Sequence, residues 1–208
     1  MTHVLSITSS PVRDFSKSSA LVERFVDAWR VASPETEFTT RDLGAAPPPH
    51  IDGMMIGSYY TDEEMRTNEQ RAAIAHSDEL IEELIAADII VIGAPMHNFG
   101  ISSSLKTWID HVARVGRTFT YGENGPEGLI RGKKVYVITA SGGTYSDGSP
   151  VQAMDHQIPS LKTVLNFLGL EDVTFIRAYG VSGGDQGIRV AEAEIDYAIL
   201  NHFGSVAA

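Results

Sequence analysis

Cysteine is absent from the chain. That excludes disulfide bridges, thiolate nucleophiles and Cys-based metal sites, and it fits a reducing interior. Positive charge is scarce, with 16 Lys and Arg against 27 Asp and Glu and a formal net charge of −11. A nucleic-acid partner needs a clustered basic face, so none is expected. No uninterrupted apolar run reaches membrane-spanning length, because Asp88 interrupts the best candidate. The chain enters Val4–Ile7 without the basic start and long apolar run of a secretory signal. The expectation is a soluble, cytoplasmic protein without a membrane partner. Glycine fingerprints are missing too: neither GxGxxG nor the P-loop pattern occurs. The seven His are scattered, with no HExxH and no carboxylate-flanked pair at ligand spacing, so no metal is expected. The serines are not expected to form a hydrolase.

What the chain does contain is organised around residues 87–114. Ile89–Ile92 is a short β-branched run closed by Gly93, the pattern of a strand buried on both faces. A loop follows at Ala94–Gly100, and then Leu105, Trp108, Ile109 and Val112 recur at helical spacing behind Ser102, Ser103 and Ser104, where an N-cap is wanted. In an open parallel sheet, ligands sit beyond the carboxyl end of such a central strand. The loop Pro95-Met96-His97-Asn98-Phe99 is unusually apolar for a connection and suits a flat aromatic ligand. Met96 and Phe99 folding back onto the sheet is the equally good alternative for the loop alone.

Taken in order, Val4–Ile7 predicts a first strand. Ser9, Ser10, Arg13, Ser16, Lys17 and Ser18 then precede a helix face traced by Leu21, Val22, Phe25, Val26 and Trp29. Hydroxyls and cations at a helix N-terminus favour an anion, and a phosphate is expected there. Glu37–Leu43 predicts a second strand and residues 45–60 a loop, broken by Pro47-Pro48-Pro49. The apolar residues Met54, Met55, Ile56, Tyr59 and Tyr60 of that loop need something to pack against. Asn68–Ala86 reads as a helix with Ile74, Ile81, Leu84 and Ile85 inward, its Asp78–Glu83 acids forming a solvated face. Thr118–Lys133 reads as a surface flap. Val135–Ala140 is the fourth strand, ending in Ser141-Gly142-Gly143, whose backbone N–H groups can approach a ligand. A helix over residues 155–168, a strand over 173–179 and a helix over 188–203 complete the chain. Five strands alternating with five helices predict a single domain over residues 1–208. It is an α/β doubly wound parallel sheet in the order 2-1-3-4-5, with helices on both faces. That order brings the loops after strands one, three and four to one crevice.

With these segments in view, APMHNF followed by LKTWID, then TFTYGENGPEGL, VITASGG and NFLGL, the chain resembles the FMN-dependent NADH:quinone oxidoreductases, also called azoreductases, of flavodoxin-like fold. The similarity runs from Val4 to about Leu200. It implies FMN as cofactor and NADH, or NADPH, as electron donor. It also implies two-electron reduction of quinones and azo compounds by a ping-pong mechanism in one slot. Ser10, Ser16, Lys17 and Ser18 would hold the FMN phosphate. Pro95, Met96, His97, Asn98 and Phe99 would border the isoalloxazine, Ser141, Gly142 and Gly143 its pyrimidine side, and Tyr145 its edge. Family members work as homodimers, with Tyr121 of the flap and Phe167 of the partner chain shaping the substrate slot. His97 stands where Tyr is common in the family, and Ser141 where many relatives carry Arg. No side chain is nominated as an obligatory general acid. The alternative is a flavodoxin-like electron carrier without NAD(P)H-dependent activity.

Overall fold

The computed structural model describes residues 1–12 and 15–204. Arg13, one of the two cations of the serine loop, lies outside the described residues. The described elements are β1 (His3–Thr8), α1 (Lys17–Ala32), β2 (Glu37–Asp42), α2 (Gly53–Tyr59), α3 (Asn68–Ala86), β3 (Ile89–Pro95), α4 (Ser103–Val112), β4 (Phe119–Gly122), β5 (Gly125–Gly128), β6 (Lys134–Ser141), α5 (Gln157–Leu168), β7 (Asp172–Tyr179) and α6 (Gln186–Gly204). The main sheet is parallel in the order β2-β1-β3-β6-β7, which is the expected 2-1-3-4-5.

The central strand explains the layers. Strand side chains alternate between faces. Ile90, Ile92 and Ala94 therefore enter one core with Leu80, Ile81 and Leu84 of α3, Leu105, Trp108 and Ile109 of α4, and Leu161 and Leu165 of α5. Ile89 and Val91 enter the other, with Phe25 and Trp29 of α1 and Ile195 of α6. Each fully buried aliphatic side chain of this kind contributes roughly 1.5–3 kcal/mol. The helices begin where short polar side chains satisfy free amides: Ser16 accepts from Ser19 N–H, Asp52 from Met55 N–H and Ser102 from Leu105 N–H. Thr67 and Gln70 form a reciprocal capping box at α3.

Four expectations need correcting. Residues 45–60 are not all loop: the prolines end at Pro49, and Asp52 then caps the short α2. Met55 is buried there while Met54, Ile56 and Tyr60 are exposed. Ile85 is also exposed, because α3 buries Leu80 instead and Ile85 falls beyond the edge of the apolar stripe. The acids of α3 are not merely solvated. Asp78 pairs with Arg114 and Arg117, Glu82 with Arg117, and Glu79 and Glu83 with Arg41. Finally, the flap is ordered as the antiparallel β4–β5 hairpin, so the described strands number seven rather than five.

Gly128 at the end of that hairpin lies backbone to backbone against Gly169, the left-handed cap of α5 at φ 92°. Ile130 N–H donates to Leu168 O across the same contact at 2.9 Å. A Cβ on Gly128 would sit 2.1 Å from Gly169 N, so only glycine permits the approach. We expect Gly128→Ala to destabilise the protein by about 1–3 kcal/mol, the cost of overpacking a fixed contact, read as a lowered thermal midpoint. An unchanged midpoint would show that the hairpin is not held this way.

His111 of α4 is fully buried, and its Nε2–H donates to Pro49 O at 2.8 Å, tying the proline run to the helix. Among the described residues its Nδ1 has no hydrogen-bond partner. Burial holds its pKa below the ordinary histidine value, against the opposing effect of the Pro49 carbonyl. A lowered folded pKa means that the unfolded chain takes up the proton first. The stabilisation is therefore complete above about pH 6.5, the unperturbed value, and is lost as pH falls below it. Thermal unfolding followed from pH 8 to pH 5 should show that decline. His111→Gln, which can still donate to Pro49 O, should flatten it, leaving the slope from His202, shifted in the same direction by burial.

Candidate active site

Three chain segments end at the carboxyl edge of the sheet, and polar contacts lace them together. Ser9, just past β1, donates its hydroxyl to Gly93 O of β3 at 2.8 Å. Ser104 of α4 donates to Ser9 O at 3.2 Å. Gly93 itself is covered so closely by α1 that a Cβ there would lie 2.8 Å from Val22 Cγ2. The serine loop and the loop after β3 are thus fixed relative to one another.

The serine segment forms a donor set. Ser10, Ser16 and Ser18 are buried, and Lys17 is exposed beside them. Ser16 Oγ accepts from Ser19 N–H at 3.1 Å and lies 3.2 Å from Ser18 Oγ. A hydroxyl has one donor and two acceptor positions, so capping the helix leaves the Ser16 O–H available. The first turn of α1 carries no acidic residue. Amide N–H groups, hydroxyls and one ammonium at the positive end of a sixteen-residue helix suit a dianion such as a phosphate.

After β3 the chain makes a tight reversal. His97 N–H and Gly100 N–H each donate to the other residue's carbonyl at 2.9 Å. The two residues between them have positive φ, 45° at Asn98 and 70° at Phe99. This is the geometry of a type I′ turn, whose usual sequence is Asn-Gly. Phe99 in the second position is strained, by roughly 1–2 kcal/mol for a non-glycine residue. The strain presents His97, Asn98 and the 40% exposed Phe99 at the surface, with Pro95 and Met96 half-buried behind them. Met96 N–H donates to Ala140 O, which joins this turn to the end of β6. Met96 and Phe99 therefore differ: Met96 extends the sheet, whereas Phe99 does not fold back onto it.

Ser141 is buried and spends its hydroxyl on Gly143 O at 2.8 Å, leaving Gly142 and Gly143 exposed. Tyr145 meets the Phe99 ring edge to face, 6.5 Å between centroids, so the third segment closes on the second. Tyr121 and Phe167 are not brought to this edge of their own chain. Both rings pack on Phe119, at 5.6 and 4.5 Å. Phe167 is ten residues along α5 from Gln157, about 15 Å at the helical rise. Tyr121 is 69% exposed on the hairpin.

A cleft of about 450 Å³ opens beside the turn, lined by Pro11, Gly44, Pro47–Pro49, His50, His97 and Ser102–Ser104 among others. Gly44 and the prolines were not singled out from the sequence as site residues. Their signal was the stiff proline run directly after a strand end. A larger, mostly apolar hollow of about 670 Å³ lies elsewhere, between β7 and α6. One literal GxSxG match, Gly180-Val181-Ser182-Gly183-Gly184, stands between β7 and α6. Among the described residues no His or carboxylate is hydrogen-bonded to Ser182. Among the described residues no group of His, Asp and Glu could hold a metal ion, and no helix is long and apolar enough to cross a membrane.

The sheet order and the crevice at its switch point define a flavodoxin-like protein, and a family model described as a flavodoxin-like fold matches residues 2–199. The FMN-dependent NADH:quinone oxidoreductase of Herminiimonas arsenicoxydans is 50% identical over 194 residues, which are 93% of this chain and 95% of its own. FMN-dependent NADH:quinone oxidoreductase 2 of Pseudomonas fluorescens (strain Pf0-1) is 44% identical over 199 residues, covering 94% and 98%. The crystal structure of an FMN-dependent NADH-azoreductase from Bacillus anthracis, in complex with FMN, superposes with a TM-score of 0.87. It is 27% identical and is matched over 97% of this chain and 99% of that one. The chain belongs to the flavodoxin-like family of FMN-dependent NADH:quinone oxidoreductases.

The strained turn yields a direct expectation. Phe99→Gly creates the favoured Asn-Gly sequence and should raise stability by roughly 1 kcal/mol in thermal unfolding, despite the lost ring. A clear drop would mean that the Phe99–Tyr145 contact outweighs the strain.

Proposed function

We propose that this protein is an FMN-dependent oxidoreductase that uses NADH to reduce quinones and azo compounds by two electrons, in a ping-pong cycle. The observation that carries the reading is the donor set at the α1 N-terminus, whose first helical turn carries no acidic residue, fixed by Ser9 and Ser104 beside a strained, surface-presenting turn. A phosphate-bearing flavin fits both halves. Ser10, Ser16, Lys17 and Ser18 would hold its phosphate, Pro95–Phe99 would border the ring, and Ser141–Gly143 with Tyr145 would meet its pyrimidine side and edge.

Bound FMN would supply the redox chemistry, two-electron transfer between NADH and the acceptor. The chain's own part is to bind and orient. The turn gives the ring a flat seat, and the exposed backbone of Gly142 and Gly143 offers N–H groups where negative charge develops. Ser141 reaches the ligand through its backbone, since its hydroxyl is engaged with Gly143 O. His97 and Tyr121 are the candidates for assisting proton delivery, and solvent can serve in their place. Among the described residues no cluster of Arg and Lys offers itself to a 2′-phosphate, which favours NADH over NADPH.

Residues 1–208 act as one domain, in a cytoplasmic homodimer. The dimer is supported by the placement of Tyr121 and Phe167. Remote from their own crevice, they would border the slot of a second copy, and exposed Met54, Ile56 and Tyr60 add apolar surface for such a contact.

The test is reconstitution with FMN, desalting and a visible spectrum. Flavin bands that NADH bleaches and a quinone restores, with parallel double-reciprocal plots, are expected. A colourless protein overturns the reading, and intersecting plots overturn the shared-slot cycle. Ser16→Asp separates capping from anion binding. Aspartate keeps the α1 cap, so the melting temperature should hold, but its charge should abolish FMN retention.

A further inference from the structure

Gln157 is the one polar residue in the buried stripe of α5, which otherwise consists of Ile158, Leu161, Leu165 and Leu168. It is 1% exposed. A buried amide is unfavourable unless it is hydrogen-bonded, and this one donates from Nε2 to Ala94 O of β3 at 3.0 Å. Ala94 immediately precedes Pro95, whose ring has no N–H to donate. The neighbouring His156 N–H donates to Phe99 O, also at 3.0 Å. Adjacent residues at the start of α5 therefore grip both ends of the segment 94–99, with the two positive-φ residues at its tip. Asp155 fixes the gripping segment, its Oδ1 accepting from Gln157 N–H at 2.9 Å and Ile158 N–H at 3.1 Å.

We propose that Gln157 is a positioning residue for the cofactor: through Ala94, and with the His156 amide on Phe99, it holds the strained turn in the shape on which the flavin ring packs. This rests on the FMN reading above. The physical logic is that a type I′ turn with Phe in a left-handed conformation relaxes unless its ends are fixed from outside. The sheet fixes one side through Met96 and Ala140. The amide of Gln157 fixes the other, through Ala94 O.

The test titrates FMN into wild type, Gln157→Met and Gln157→Glu, reading flavin fluorescence quenching and the visible circular dichroism of the bound ring. Met conserves shape and removes the donor. Its FMN dissociation constant should rise about tenfold, the equivalent of one lost hydrogen bond, with an altered dichroism signal. A buried glutamate takes up a proton more readily than a free one, and only its protonated form can donate to Ala94 O. Gln157→Glu should therefore regain wild-type affinity and dichroism as pH falls from 8 to 5, whereas Gln157→Met should not. If Gln157→Met fails to fold, the two pH values of Gln157→Glu decide by themselves. Wild-type affinity and dichroism in the variants, with only a lowered melting temperature, would overturn the proposal and leave a purely structural glutamine. Failure of the wild type to bind FMN would overturn the functional reading instead.

Discussion

Burial of β3 on both faces is the constraint from which the rest follows. A parallel strand with no solvent-facing side must have its backbone paired on both edges and its side chains covered from above and below. β1 and β6 provide the pairing; α1 with α6, and α3 with α4 and α5, provide the cover. The arrangement ends where β1 runs out, opposite Gly93. Beyond it β3 keeps only β6 as a partner, up to Pro95 opposite Ala140, with α1 against Gly93 and the start of α5 bonded to Ala94. A crevice results, with walls rigid because they are extensions of the core.

The crevice achieves its shape with polar ties rather than apolar packing. Ser9 to Gly93, Ser104 to Ser9, Gln157 to Ala94 and His156 to Phe99 each join two elements distant in sequence. Such bonds contribute modestly to net stability, but breaking one leaves a buried group unsatisfied, so they enforce geometry strongly. They also sustain the left-handed Phe99, which an isolated loop would not keep. Strain at a ligand-facing turn supported from the surrounding structure is a form of preorganisation.

Charge is distributed so that an acidic protein can still receive a phosphate. Many acids of α3 are paired with Arg41, Arg114 and Arg117. The N-terminal turn of α1 is free of carboxylates. The net charge of −11 does not by itself exclude an anion there, because distant charges are screened over about 10 Å at ordinary ionic strength.

Periodicity and end signals made the sheet order and both apolar layers readable before any coordinates. Burial on two faces leaves a continuous β-branched run at Ile89–Ile92, and burial on one stripe leaves the spacing of Leu105, Trp108, Ile109 and Val112. Hydroxyls and cations ahead of a helix likewise marked the serine segment, and the family motifs the Pro95–Phe99 loop and Ser141–Gly143. The short α2 escaped notice because seven residues barely complete two turns and show no period. Ile85, expected inward, lies outside the buried stripe of α3, which takes in Leu80 instead. Gln157 carried no signal at all. Its importance lies in an amide that meets Ala94, 63 residues away, and contacts of that range exist only once the helix has docked on the strand. Local rules act over a few residues and so specify elements and faces. The grip on the turn, the glycine contact behind the hairpin and the distance of Tyr121 and Phe167 from their own crevice arise from how those faces come together.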